Sequence, residues 1–275
     1  MAVARTYPEG VTSWIDLEVP DVDAATDFYG ELLGWKFTLA TPPDSPFRYL
    51  IAQLDGQDAA GIGGPADTLP AWNTYVAVDD ADETAARVRA AGGEVVSEPA
   101  DAGEGGRSAS CIDPGGAPFR LWQARRRLGA QVVNTPGAWN FSDLHATDPA
   151  VVEAFYAEVF GWVAVDVGSG TMIKVPGYGE HLATTSDPGI HERQGELAPP
   201  GFADVIGGLV PAAPDEPSGW QVSFTVTDRA ATADLALRLG GDVFARRDTD
   251  WTRDAVIRDP QGAVFTASQF TPPGS

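Results

Sequence analysis

The sequence predicts an α+β protein made of two tandem domains, each assembled from two βαβββ-like modules. Two observations carry this prediction: three sequence blocks recur in the same order in the two halves, and within each half a strand-to-helix unit recurs once more. Residues 21–35 read DVDAATDFYGELLGW and residues 148–162 read DPAVVEAFYAEVFGW; both open on Asp, carry Phe-Tyr seven residues later and end on Gly-Trp. The second block is Gly92-Gly93-Glu94-Val95 against Gly240-Gly241-Asp242-Val243. The third is DPGGA at 113–117 against DPQGA at 259–263. Three blocks in one order mark a duplication.

The elements follow in sequence. A strand over 14–19 leads to Asp21 and a helix, and a strand over 72–78 leads to Asp79-Asp80 and a second helix. An Asp at the head of a helix caps free backbone N–H groups. Ala24, Phe28, Leu32 and Leu33 recur at helical spacing and give the first helix its apolar face. Gly34 and Gly92-Gly93 stand where a helix end needs a left-handed residue. Short strands over 49–54, 108–112 and 119–123 follow, separated by Pro-Gly and Gly-Gly turns. The joints place a first domain at 10–124, a connection at 125–137 that includes the solvated run Arg125-Arg126-Arg127, and a second domain at 138–270. The proline-rich stretch 186–219 reads as a long connection, either a lid over a site or a poorly ordered segment.

Composition narrows the function. An apolar fraction of 43% is that of a globular chain, so disorder is not expected. No run approaches the roughly 20 apolar residues of a membrane helix. The first residues lack a basic segment followed by an apolar run, so no secretory leader is expected and the cytoplasm is the simplest location. The single cysteine, Cys111, excludes an internal disulfide framework and a cysteine-rich zinc site. A net charge of −21, with Lys36 and Lys174 the only lysines, opposes nucleic-acid binding and favours, if anything, a cationic ligand. Acidic surfaces also simply promote solubility.

The Asp-x6-Phe-Tyr-x4-Gly-Trp helix followed by an Asp-Pro-x-Gly turn before the last strand resembles the vicinal oxygen chelate superfamily, which includes glyoxalase I, extradiol dioxygenases and the fosfomycin- and bleomycin-resistance proteins. More narrowly, Trp14-Ile15-Asp16-Leu17, the segment from Trp72 to Asp80, and Leu121-Trp122-Gln123-Ala124 are similar to an actinobacterial two-domain branch that contains accessory and resistance proteins of antibiotic gene clusters, anthracycline clusters among them. The resemblance covers nearly the whole chain. It implies paired βαβββ modules whose strands curl around a concave pocket, and leaves the chemistry open, because one fold hosts many functions.

In metal-using members of that family, a ligand lies seven residues before the Asp that opens each helix, and a Glu lies seven after the Asp of the turn. The resemblance therefore points to Trp14, Asn73 and Arg120 in the first half, and to Phe141, Gln221 and Thr266 in the second. Where tandem relatives pair the first module with the fourth, Trp14 would join Gln221 and Thr266. Indole, phenyl and guanidinium groups do not ligate a divalent cation, and lone amide carbonyls are weak ligands. No metal and no cofactor are expected, although a rebuilt site from His145, His181 and an acid is conceivable.

Strand alternation reads the concave faces. Ile15, Leu17, Val19, Thr74, Val76, Val78, Phe119 and Leu121 fall on the helix-covered side. Trp14, Asp16, Glu18, Asn73, Tyr75, Arg120 and Trp122 then face the first pocket, a set suited to a planar ring bearing an amine. The same side chains would equally form a structural network in which Arg120 neutralises Asp16 or Glu18. The second pocket would present Phe141, Asp143, His145, Gln221, Ser223, Thr266 and Ser268, with Asp143 and His145 as a candidate acid/base pair. Trp139 and Trp251 read as packing or rim residues. No nucleophile elbow or phosphate loop is present. Three functions follow: a metal-free protein that captures a small aromatic natural product, neutral or cationic, for resistance or as accessory to a biosynthetic enzyme; a glyoxalase-like isomerase, lyase or hydroxylase-type enzyme; or an interaction protein with vestigial pockets.

Overall fold

The computed structural model describes residues 4–168, 170–195 and 198–272. The first module runs β1 (Thr12–Glu18), α1 (Val22–Leu33), β2 (Lys36–Leu39), β3 (Arg48–Leu54) and β4 (Gln57–Gly64). The second runs β5 (Trp72–Ala77), α2 (Ala81–Ala90), β6 (Glu94–Ala102), β7 (Gly106–Ile112) and β8 (Pro118–Ala124). The third opens with β9 (Trp139–Ala146), α3 (Pro149–Phe160), β10 (Val163–Asp166) and β11 (Thr171–Lys174). It then inserts two short helices, α4 (Tyr178–Thr184) and α5 (Ile190–Gln194), before β12 (Val205–Pro211). The fourth runs β13 (Gly219–Thr225), α6 (Arg229–Arg238), β14 (Asp242–Asp248), β15 (Thr252–Arg258) and β16 (Val264–Phe270). The stretch 186–219 is thus no plain connection: it carries α5 and a buried strand, which its prolines and glycines hide from a periodicity reading.

Each long helix starts at an aspartate whose carboxylate accepts from the first turn: Asp21 from Ala24 N, Asp80 from Glu83 N, Asp148 from Val151 N, and Asp228 from Ala230 N and Ala231 N. Gly34 (φ 76°) and Gly161 (φ 70°) end α1 and α3 in the left-handed conformation that the repeated Gly-Trp predicts. The strands form two eight-stranded mixed sheets, ordered β2-β3-β4-β1-β5-β8-β7-β6 and β10-β11-β12-β9-β13-β16-β15-β14. Each keeps two edge strands, so neither closes into a barrel. Within a module the first strand runs parallel to the last, as in Asp16↔Gly61 and Tyr75↔Arg120, and the remaining pairs are antiparallel. Ile15, Leu17, Val76, Phe119 and Leu121 are buried beneath the helices, as alternation requires.

By packing, the described residues separate into two compact units. One comprises the described residues within 14–73, 130–141 and 221–272, essentially the first and fourth modules; the other comprises those within 4–13, 74–129 and 142–220, essentially the second and third. The repeated motifs meet inside each unit. In the first-and-fourth unit, Tyr29 of α1 donates from Oη to Asp259 Oδ2 (3.0 Å) and accepts from Trp72 Nε1 (3.2 Å). Asp259 Oδ1 accepts from the backbone N–H of Gln261, Gly262 and Ala263, which folds the Asp-Pro-x-Gly turn around the carboxylate. In the second-and-third unit, Tyr156 Oη donates to Asp113 Oδ2 (3.0 Å), and Asp113 Oδ1 accepts from Gly115 N and Ala117 N. The Gly-Trp tryptophans complete the parallel: Trp35 Nε1 donates to Gly137 O, and Trp162 Nε1 to Gly10 O, each at 2.7 Å. Aromatic rings pack around each tyrosine, Tyr156 stacking on Trp162 at 4.5 Å and Tyr29 meeting Trp72 edge-on at 5.3 Å.

Both tyrosines are held well above their ordinary pKa, first by burial and then by the neighbouring carboxylate. Burial also raises the Asp113 carboxyl, outweighing the hydrogen bonds that pull it down. Removing either hydroxyl strands a buried carboxylate oxygen, so Tyr29→Phe and Tyr156→Phe should each cost about 1–3 kcal/mol in urea denaturation. The folded chain binds the Asp113 proton more tightly than the unfolded chain. Its contribution to stability is therefore complete below the unfolded pKa and is lost as pH rises through the raised value. Asp113→Asn cannot titrate, and its stability relative to the native chain should climb from acid to neutral pH; a flat difference would contradict this assignment.

Candidate functional site

The side chains expected on the first concave face fall into two hydrogen-bonded groups, one in each unit. In the first-and-fourth unit, Trp14 Nε1 donates to Tyr49 Oη (3.0 Å), Tyr49 Oη donates to Asp16 Oδ2 (3.0 Å), and Asn73 Nδ2 donates to Asp16 Oδ1 (2.9 Å). Asp16 is fully buried and Trp14 nearly so. Tyr49, from β3 on the far side of β4, reaches across to cover the acid, and only a glycine beneath it permits this: a Cβ on Gly61 would sit 2.1 Å from Tyr49 Oη. Asp16 is therefore a satisfied internal acceptor with both oxygens engaged. Glu18, at the end of β1, is only partly buried.

In the second-and-third unit, Arg120 Nη1 donates to Tyr75 Oη (2.8 Å), and the guanidinium lies 5.5 Å from the Tyr75 ring centroid. Trp122 meets Tyr75 edge-on at 6.2 Å, and its Nε1 donates to Arg127 O (2.9 Å), so the indole is fixed at its polar end. The same unit holds Asp143 and His145. Asp143 Oδ1 accepts from Gly208 N (2.7 Å). His145 Nδ1 lies 3.0 Å from Glu216 Oε1, and Glu216 Oε2 accepts from Ala213 N, which fixes the β12–β13 loop under the imidazole. The contact joins His145 to Glu216, a residue that the spacing of Asp143 and His145 on one strand does not suggest. His181 instead lies 2.9 Å from Thr6 Oγ1, and His191 lies 3.9 Å from Glu180.

Gln221, Ser223, Thr266 and Ser268 sit in the first-and-fourth unit, as does Phe141. Ser223 and Thr266 are paired neighbours on β13 and β16. Ser268 Oγ donates to Asp254 Oδ1 (2.7 Å). Tyr49, Glu216 and Asp254 are the polar residues that the sequence reading missed. Each lies on a middle strand or a loop, whereas alternation was applied to first and last strands. The one cysteine is no nucleophile: burial pushes the Cys111 thiol up to about 12.

Two family models match the halves in turn. Residues 12–121 match the Glyoxalase/Bleomycin resistance protein/Dioxygenase superfamily, and residues 140–268 match a glyoxalase-like domain. The chain belongs to this superfamily. As a member it is 34% identical over 97% of its length to "Putative glyoxylase CFP32" of Mycobacterium bovis, and covers 97% of that protein. It is 32% identical over 96% of its length to the anthracycline biosynthesis protein DnrV of Streptomyces peucetius, covering 94% of it. Among solved structures, the 2,3-dioxygenase LapB from Pseudomonas sp. KL28 superimposes with a TM-score of 0.61 at 15% identity, covering 97% of this chain and 96% of that one. The Mn(II)-bound glyoxalase from Novosphingobium aromaticivorans gives 0.59 at 18%, covering 95% and 83%. At such identities these two structures establish the fold alone.

A divalent metal, which many members of the superfamily hold, does not fit the equivalent positions of this chain. Trp14 and Asn73 direct N–H donors, not lone pairs, toward Tyr49 and Asp16, and Arg120 is itself a cation. Phe141 has no donor atom, and Gln221 and Thr266 bring no carboxylate or imidazole. Among the described residues no group of three or more His, Cys, Asp or Glu is placed to hold a metal ion. The Tyr49 hydroxyl is the joint of the Trp14–Asp16 chain. Tyr49→Phe should therefore destabilise the protein by about 1–3 kcal/mol in thermal or urea unfolding. An unchanged midpoint would show that the hydroxyl links nothing.

Proposed function

We propose that this chain is a small-molecule-binding member of the superfamily that captures an aromatic natural product without a resident metal. It serves either to sequester the compound or as accessory to the enzyme that makes it. The observation that carries the reading is the Trp14–Tyr49–Asp16–Asn73 hydrogen-bonded chain, which fills first-half ligand positions with an indole and an amide and saturates the nearest carboxylate. A site rebuilt this way offers no Lewis acid, and aromatic walls with a few placed polar groups are what a planar ligand needs. Similarity over nearly the whole chain to an anthracycline biosynthesis protein supports an anthracycline-like polyketide as the ligand class.

One observation favours a second reading, an enzyme that moves a proton without metal. The nearly buried His145 imidazole and the Glu216 carboxylate, 3.0 Å apart, are arranged as an oriented general base. A single preparation, purified without chelator, separates the two. The binding reading expects substoichiometric Zn, Mn, Ni and Fe by elemental analysis, together with saturable quenching of indole emission by micromolar daunorubicin that EDTA leaves unchanged. A full equivalent of metal, or no response to daunorubicin, would overturn it. Turnover of an added α-ketoaldehyde–thiol adduct that survives EDTA and disappears in His145→Gln would establish the enzyme instead.

A further inference from the structure

The fourth module holds its acids in two ways. Asp234, Asp242 and Asp248 are each paired with arginine, through Arg246, Arg258, and Arg229 with Arg253. Asp254, on β15, has no ion pair among the described residues. Its carboxylate is held by two hydroxyls: Ser268 Oγ donates to Oδ1 (2.7 Å) and Thr252 Oγ1 to Oδ2 (3.0 Å). These donors are uncharged and orient a half-buried carboxylate, beside which stand Arg229, whose Nη1 donates to the Asp254 backbone carbonyl (3.0 Å), and Arg247, in register across from it on β14. Register places Asp254 opposite Ser268 and Thr252 opposite Phe270, so all four share one face of the β15–β16 ladder. Ala255, Ile257, Phe265 and Ala267 are buried on the other face, beneath α6.

Next to the acid is a stacking platform. Trp251 and Phe270 lie nearly parallel, with centroids 6.3 Å apart and planes 22° from each other. Phe270 is 60% exposed, so its ring face is open to solvent. The platform is braced from behind. Thr249 Oγ1 accepts from Trp251 N and Thr252 N, and Thr271 N donates to Trp251 O (2.7 Å). A ring laid against Phe270 would have the Asp254 carboxylate one step along the ladder, roughly 7 Å away, the rise of two strand residues. Arg247, exposed on β14, makes no ion pair among the described residues.

We infer that this face, with Asp254 as the anionic contact and Trp251–Phe270 as the stacking surface, selects ligands whose ring system carries a protonated amine. The inference rests on the small-molecule-binding reading and specifies its ligand chemistry. It places an amine contact in the fourth module, whereas Asp16, one of the two acids that the sequence offers for that role together with Glu18, is fully buried with both oxygens engaged.

The test compares two probes of equal ring area, anthracenylmethylamine and anthracenylmethanol, by quenching of indole emission. The native chain should bind the amine at least about tenfold more tightly than the alcohol, the worth of one charge-assisted contact. That preference should shrink as salt is raised. Asp254→Asn, which keeps the shape of the side chain, should bring the two probes together. Phe270→Ala, at an exposed position, should weaken both alike. Two results overturn the amine inference while leaving the binding reading intact: equal affinity of the two probes for the native chain, or an undiminished preference in Asp254→Asn. The native-chain comparison decides the matter even if a variant does not fold. Binding of neither probe would overturn the binding reading itself, and the inference with it.

Discussion

Two buried hydrogen bonds, Tyr29 to Asp259 and Tyr156 to Asp113, organise the rest of the protein. Each joins the helix of one module to the turn before the last strand of another, and each carboxylate has its second oxygen occupied by the backbone of its own turn. A buried acid tolerates such a site only when its acceptor sites are filled, so helix and turn are specified together. The tryptophans that follow the helices add aromatic packing around the tyrosine and a bond to a glycine carbonyl. The recurrence of Phe-Tyr, Gly-Trp and Asp-Pro-x-Gly thus reflects one physical unit, seen in the sequence as three separate blocks.

That is why the fold was legible. Capping aspartates, left-handed glycines and strand alternation are local signals, and the structure places Asp21, Asp80, Asp148 and Asp228 at helix starts as they require. What sequence could not supply was partnership. Asp16 reads as a pocket acid because alternation gives a direction and nothing more; its burial comes from Tyr49, a residue on another strand that reaches it over Gly61. His145 reads as a partner for Asp143 because they share a strand, yet Glu216 reaches it from a loop seventy-one positions on from it. The strand within 186–219 escaped notice because Gly207 and Gly208 interrupt its apolar pattern, and those glycines are demanded by contact: a Cβ on Gly207 would lie 2.2 Å from Ser142 O.

The two halves have diverged in what they do with the same scaffold. In the first, aromatic and amide groups close over an internal carboxylate. In the second, the acids Glu216 and Asp254 are reached by an imidazole and by hydroxyls. Each anchor takes its tyrosine from one half and its aspartate from the other, so the two copies stay tied together at these positions while the residues around Asp16, Glu216 and Asp254 differ.

The interleaving of the modules also constrains how the polypeptide acquires its structure. Tyr29 and the carboxylate it needs, Asp259, lie 230 positions apart in the chain, and the amide clasp between Asp21 and Gln261 spans 240. Contacts so distant in sequence impose a large loop-closure cost before they return any free energy. The aromatic surface of α1 must therefore wait, uncovered, while the middle of the chain is synthesised and its own anchor between Tyr156 and Asp113 can close first. The chain's net charge of −21 opposes association of incompletely folded copies during that interval.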